Sequence, residues 1–261
     1  MSAATAVRST APSTLRLAWI HTRYQLTETL RVPIAVVGNC LFPALALVFF
    51  VVPQDAVASD PVVATGAIGQ LSVFAVMSTC MFTYGVGVAE DRERPFDTFL
   101  RTLPAGAVPQ LVGRVATGIT FVVLALVPVL LIGWLLTSAT VSPGRLALGV
   151  VALVLAGMPF LLLGFGVGYL LSAKAALPVA QVVLFPMAFA GGIFLPPQMF
   201  PGWLDAVSLA LPSRAGRDGV VWALVGGEAT WLTPVVWAAW TAAAGVLAVW
   251  AYRRDEGRRF R

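Results

Sequence analysis

The sequence contains little charge and few of the residues from which soluble active sites are built. Only 11% of its 261 residues are charged and 59% are apolar, whereas soluble proteins average about 25% charged and about 45–50% apolar residues. A water-soluble globular fold, a disordered chain and a collagen-like chain are therefore excluded. A mean hydropathy of +0.87 favours a protein that lies in a lipid bilayer.

Residues that carry catalytic or redox chemistry are also scarce. His21 is the single histidine, which excludes a histidine-based zinc cluster and a chain of histidine proton carriers. The single lysine, Lys174, has no glycine-rich loop that would cradle a phosphate. Cys40 and Cys80 fall within apolar runs, where a free thiol packs as a small apolar group. We predict a non-catalytic chain that itself binds no cofactor or metal.

Six runs of the sequence contain no Asp, Glu, Lys or Arg, and they predict six membrane spans. They are Pro33–Val52, Val62–Ala89, Val115–Leu136, Leu146–Leu171, Ala175–Leu195 and Pro234–Ala251. A helix crosses the hydrocarbon core with about 20 residues, in a range of about 17–25. The lack of ionisable groups in these runs argues against an ion-coupled carrier or a proton pump.

The predicted fold is an all-α polytopic membrane protein of six transmembrane helices. Residues 1–32 form an N-terminal segment, residues 33–252 the membrane domain and residues 253–261 a basic tail. Of the 17 basic residues, only Arg145, Arg214 and Arg217 fall on the side opposite the termini. The positive-inside rule therefore places both termini in the cytoplasm. Anionic head groups, rather than nucleic acid, account for a pI near 9.9.

The N-terminal segment predicts an amphipathic helix over about Thr14–Arg31. Leu15 and Trp19 lie on one apolar stripe of this helix, and Arg16 and Arg23 flank it. Such a helix lies along the inner leaflet, either as a simple anchor or as an interface helix that a cytoplasmic partner contacts.

A run of charged residues follows the second apolar run and leads into a short periodic stretch. Pro95 stands at a favourable first helical position, and apolar residues recur behind it at helical spacing as far as Pro104. A solvated loop has no reason to carry a periodic apolar face. We therefore expect a docking element for a cytoplasmic partner.

The region after the fifth run combines several prolines with an apolar segment. It includes Pro196, Pro197, Pro201, Trp203 and Leu204. The prolines stop the helix as it reaches the outer face, and the apolar residues beyond them are unusual for an external loop. We predict a re-entrant outer segment between spans five and six, with its free backbone groups covered by protein or water.

Together these features resemble the membrane subunits of type-2 ATP-binding-cassette exporters. Members of this family have a cytoplasmic interface helix, six spans, and an acidic-basic loop followed by a leucine-rich helix. Glu93-Arg94 and the stretch Phe99–Pro104 match that loop. The family's motif after span five is matched by Gly192, Phe194, Pro196, Pro201, Trp203, Leu204 and Pro212. Pro95-Phe96 replaces the family's usual Gly-Thr, and Leu211-Pro212 replaces its frequent Asn-Pro.

The resemblance implies a permease subunit that draws its energy from another chain. A separate cytoplasmic ATPase subunit would bind ATP and Mg²⁺ and dock on the interface helix and on the loop after span two. A second membrane subunit, expected to be an identical copy, would complete a two-fold pore in the bacterial plasma membrane. The expected ATPase-coupling residues are Glu90, Asp91, Arg92, Glu93, Arg94, Phe96, Asp97, Phe99 and Leu100.

The substrate path implied by the resemblance lies between two copies and is lined by spans one, two and five. Its candidate polar residues are Asn39, Gln70, Ser78, Thr79, Thr83 and Gln181. Hydrogen bonding between helices is the alternative role for these side chains. A path without fixed charge suits an amphipathic, lipid-linked or drug-like substrate moved outward. The alternatives are an ion-driven carrier or channel, a membrane-embedded enzyme and a non-transport membrane scaffold.

Overall fold

The regular structure of the described residues is helical throughout. A computed structural model describes residues 33–94, 108–227 and 230–259, together with residues 17, 19–20, 22–24 and 26–27. The helices are α1 (Pro33–Phe50), α2 (Asp55–Ala58), α3 (Pro61–Cys80), α4 (Gly87–Glu93), α5 (Val108–Leu136), α6 (Pro143–Leu170), α7 (Ala173–Ala190), α8 (Gly202–Ser208), α9 (Pro212–Val225) and α10 (Leu232–Arg259). A π-helical segment, Met81–Val86, joins α3 to α4, and a single 3₁₀ turn, Pro197–Met199, precedes α8.

Five of these helices are long and apolar enough to cross a membrane. They are Pro61–Glu93, Val112–Leu136, Pro143–Leu170, Ala173–Ala190 and Leu232–Glu256. They coincide with predicted spans two to six, which confirms the all-helical membrane class. The predicted first span is an 18-residue helix, α1, in which Leu41–Phe50 is a shorter apolar stretch. The count of six spans stays a prediction.

The second predicted span is the most buried of the candidate membrane helices and lies at the centre of the helix bundle. In the most apolar stretch of the continuous helix from α3 to α4, 78% of residues are buried, against 11–28% in the other four candidate spans. Its buried hydroxyl groups bond within the helix: Ser72 Oγ donates to the Ile68 carbonyl at 2.8 Å and Ser78 Oγ to the Ala75 carbonyl at 3.1 Å. Small and weakly polar side chains let neighbouring helices approach it closely.

Helix α6 meets the π-helical segment backbone to backbone. A Cβ atom on Gly164 would lie 2.7 Å from the Cys80 carbonyl oxygen, and one on Gly168 would lie 2.6 Å from the Tyr84 carbonyl oxygen. Between them, Gly166 packs against Leu247 of α10. The sequence pattern Gly164–Gly168 is thus a helix-packing motif, in which small residues within a span let neighbouring helices approach closely.

Helix α9 packs lengthwise against α3 and α6. Gly216, near its start, packs against Val73 and Ala156, whereas Leu224, near its end, faces Gly69 and Gly149. α9 therefore runs antiparallel to α3. Its first turns lie beside Val73, about 18 Å along the helix from the beginning of α3 at about 1.5 Å per residue.

Candidate functional site

Consecutive charged residues at the end of α4 bind different neighbouring helices. Asp91 Oδ2 lies 3.2 Å from Arg114 Nη2 on α5. Glu93 Oε1 accepts a hydrogen bond of 2.9 Å from the backbone N–H of Ala173, the first residue of α7. A carboxylate at this position satisfies a free amide and suits the positive end of the helix dipole.

Arg92, between these two acids, joins α4 to both α6 and α10. Its Nη1 donates to the carbonyl oxygens of Gly168 at 2.6 Å and Leu171 at 3.2 Å, at the carboxyl end of α6. Its Nη2 pairs with Asp255 Oδ1 on α10, and the guanidinium carbon lies 5.8 Å from the centre of the Tyr169 ring. The side chains of Arg92 and Asp255 are only 16% and 4% exposed. We call Asp91, Arg92, Glu93, Arg114 and Asp255 the α4 junction.

The α4 junction contains part of the predicted ATPase-coupling surface. Asp91 and Arg92 are half-buried, whereas Glu90, Glu93 and Arg94 are exposed. Of the exposed residues, Glu93 binds the Ala173 amide and Arg94 lies 3.5 Å from Asp91. The other predicted coupling residues, Phe96, Asp97, Phe99 and Leu100, lie outside the described residues. The docking assignment of the whole set stays a prediction.

Sequence reasoning missed two members of the α4 junction. It counted Arg114 only as one of the cytoplasmic basic residues and placed Asp255 in a basic tail. In the structure α10 continues to Arg259, so residues 253–259 extend the last helix. Only one feature of the sequence indicated that Asp255 has a specific partner, namely that this acidic residue directly follows two arginines in a basic stretch.

The N-terminal segment is helical at each of its described positions. Trp19 is 67% exposed and Arg23 is also exposed, while Thr22 is buried. The other predicted interface-helix residues, Leu15 and Arg16, lie outside the described residues. The role of this helix stays a prediction.

The prolines after α7 form a tight turn against a glycine. Gly192 has a φ of +77°, and a Cβ atom there would lie 2.7 Å from Pro197 Cγ. Pro197 is buried, whereas Pro196 and Pro201 are exposed. In the following helix α8, Leu204 is half-buried and Trp203 is 70% exposed. The predicted outer segment therefore presents large apolar surface beside a fixed turn.

Charged residues of α8 and α9 form a second network. Arg214 contacts Asp218 at 2.6 Å and Asp205 at 3.1 Å. Arg217 contacts Asp218 at 2.7 Å, and its Nε donates to Gln70 Oε1 on α3 at 3.3 Å. Sequence reasoning used Arg214 and Arg217 only to orient the chain and named Gln70 only as a substrate-path candidate, so it did not predict that they belong to one network.

The predicted substrate-path residues do not share one surface. Ser78 and Thr79 are buried in α3, Thr83 is half-buried and Gln181 is exposed on α7. Gln70 accepts the hydrogen bond from Arg217. The side chain of Asn39 lies outside the described residues.

A phenylalanine cluster lies where α1, α3 and α7 meet. The neighbouring ring centres are 4.8–6.4 Å apart. Its members are Phe42, Phe50, Phe74, Phe185, Phe189 and Phe194. Phe74 is fully buried, while Phe42, Phe50 and Phe189 are 46–57% exposed. The cluster therefore forms an apolar surface on predicted spans one, two and five.

Comparison with known proteins agrees with this architecture. The family model described as "ABC-2 type transporter" matches residues 16–225. The chain is also 23% identical over 187 residues to a protein of Bacillus subtilis (strain 168) named "Putative transport permease YvfS", covering 71% of this chain and 76% of that protein. The matched region extends from the N-terminal segment to the end of α9. The chain therefore belongs to the ABC-2 type transporter family as a membrane-embedded transport permease.

Proposed function

We propose that this chain is the permease subunit of an ATP-binding-cassette exporter, powered by a separate ATPase subunit that docks on the loop after span two. The observation that carries the proposal is the combination of family membership with the sequence of that loop. In the sequence of residues 95–104, apolar residues recur at helical spacing directly after the charged end of α4. A periodic apolar face on the cytoplasmic side is suited to a protein partner.

The proposed setting is the bacterial plasma membrane, with both termini in the cytoplasm. The distribution of the basic residues supports this orientation. Two copies of the chain would form the transport unit, and the path would follow spans one, two and five.

An amphipathic, lipid-linked or drug-like substrate is the class we propose for this path. The phenylalanine cluster supports that class, because half-exposed aromatic rings offer apolar contact area to a ligand. Outward movement is expected from the resemblance to exporters.

The proposed function is tested by purifying the tagged chain in mild detergent from cells that also express its neighbouring genes. We expect a protein with a Walker-type phosphate loop to copurify, and we expect ATP to drive substrate uptake into inside-out membrane vesicles. Replacing the loop lysine of that partner by alanine is the control, and it should stop uptake. Transport by the chain alone, driven by an ion gradient, would favour the carrier alternative.

We also propose that α8 and the start of α9 re-enter the outer leaflet. The packing of Gly216 against Val73 supports this placement, because Val73 lies well inside predicted span two. The exposed apolar side chains of Met199, Trp203 and Val207 support it as well, since exposed large apolar residues favour lipid or protein over water.

Spin labels test this membrane depth. With the native cysteines replaced by alanine, a label at Trp203 should collide more often with oxygen than with a water-soluble nickel complex. A label at Val141, in the outer loop between α5 and α6, should show the opposite preference and serves as the control. Equal access of the nickel complex to both positions would contradict re-entry.

A further inference from the structure

The α4 junction lies between the loop on which we propose that the ATPase docks and four of the other helices. On one side, the chain runs from Arg94 directly into the loop of residues 95–107, where we propose that the ATPase docks. On the other side, Asp91 binds α5, Arg92 binds α6 and α10, and Glu93 binds α7. A displacement of α4 therefore acts on the cytoplasmic ends of four other helices.

We infer that the α4 junction transmits ATPase-driven movement of that loop to the membrane helices, and that Arg92 is its central positioning residue. This inference rests on the proposed function. A single guanidinium group joins three helices by hydrogen bonds to carbonyl oxygens and an ion pair. The planar guanidinium holds Nη1 and Nη2 in fixed relative directions, so contacts from both nitrogens fix direction as well as distance, which a lysine ammonium does not.

Burial strengthens the contact between Arg92 and Asp255. The carboxylate side chain is 4% exposed and the guanidinium 16% exposed, so solvent and salt screen their interaction weakly. Separating such a pair leaves a buried charge without its partner. α4 and α10 are therefore expected to move together.

Three aromatic residues, Tyr169, Phe165 and Tyr84, pack in sequence from Arg92 towards the interior of the membrane. The ring of Tyr169, beside Arg92, stacks on Phe165 with 6.1 Å between centres. Phe165 lies 4.9 Å from Tyr84 of the π-helical segment, and the Tyr84 hydroxyl donates to the Val115 carbonyl on α5 at 3.2 Å. Packed side chains of this kind couple the movements of the elements that they join.

A fluorescent probe on α10 tests the transmission. The parent variant has both native cysteines replaced by alanine and carries bimane on a new cysteine at Trp231, which is 75% exposed near the outer start of α10. The chain is purified with its ATPase subunit and placed in lipid nanodiscs. We expect ATP with vanadate to shift bimane emission in the parent variant.

Asp255→Asn should remove most of this shift, because it removes the ion pair that joins α4 to α10, while the ATPase subunit still copurifies. Asp255→Glu should retain part of the shift. Arg253→Gln, which removes an exposed charge from the same helix end, is the matched control and should keep it. A thermal unfolding measurement shows whether each variant is folded. If Asp255→Asn does not fold, Arg92→Lys provides a second test of the same contact.

The outcomes separate the two proposals. An undiminished emission shift in Asp255→Asn, with the ATPase subunit bound, would overturn the role of the α4 junction and leave the proposed function intact. Failure of the parent variant to bind any ATPase subunit would contradict the proposed function and this inference together.

Discussion

Replacing Phe99 and Leu100 together by aspartate is expected to abolish ATP hydrolysis that is coupled to transport. Both residues belong to the apolar stripe that we propose as the ATPase docking face. Truncation of one central interface residue typically costs about 2–4 kcal/mol of binding, and tenfold in affinity corresponds to about 1.4 kcal/mol. Two carboxylates in an apolar contact should therefore weaken the complex at least about 100-fold.

The measurement is the amount of ATPase subunit that copurifies with the tagged chain, together with ATP-driven uptake into vesicles. The double variant Thr98→Asp with Thr102→Asp is a matched control. It adds the same charge to the same stretch, but at helical spacing Thr98 lies about 150° and Thr102 about 110° from the centre of the apolar stripe, outside its face. Unchanged complex formation in the Phe99 and Leu100 variant would refute the docking assignment.

Adding one methyl group at Gly164 or Gly168 is expected to destabilise the helix bundle strongly. In each case the new Cβ atom would lie less than 3 Å from a backbone carbonyl oxygen of the central helix. A backbone cannot move aside as a flexible side chain can. We expect Gly164→Ala and Gly168→Ala each to lower the free energy of unfolding by about 1–3 kcal/mol, the usual cost of overpacking.

Gly144→Ala provides a control on the same helix, because a Cβ atom built at Gly144 would meet nothing within 4 Å beyond its chain neighbours and its own helix backbone. This variant should be neutral or gain up to about 1 kcal/mol from the higher helix propensity of alanine. Equilibrium unfolding of the purified chain in detergent by SDS measures all three variants. Equal stability of Gly164→Ala and Gly144→Ala would contradict the close packing of α6 on α3.

The helical membrane fold could be predicted from the sequence because the bilayer imposes a simple rule on length and charge. Runs of apolar residues interrupted by charged segments identified spans two to six. The four-residue spacing of Gly164 and Gly168 is likewise readable from the sequence as a packing face, since small residues at this spacing within a span let helices approach closely.

The central position of α3 could not be predicted from the sequence. All spans are apolar, so hydrophobicity does not distinguish a helix surrounded by protein from one surrounded by lipid. Residue size gives a partial indication of a buried helix, because Gly66, Gly69 and Ser72 leave room for close neighbours. Only the arrangement of α6 and α9 in the structure shows which helices occupy that room.

The contacts of the charged residues were equally beyond sequence reasoning. Arg92 and Glu93 looked like surface charges because they stand in a run of charged residues. Their partners, Asp255 and the amide of Ala173, lie more than 75 positions further along the chain. Sequence spacing carries no direct information about pairs this distant.

The central place of α3 also has a consequence for biosynthesis. At about 5–20 residues per second, the ribosome needs roughly 7 to 28 s between making Val73 and beginning α9, the helix that packs on it. Throughout that interval the flank of α3 around Gly66 and Gly69 lacks its final neighbour. During that time the insertion machinery must cover the flank of α3 that α9, the next-to-last helix to be translated, covers in the folded protein.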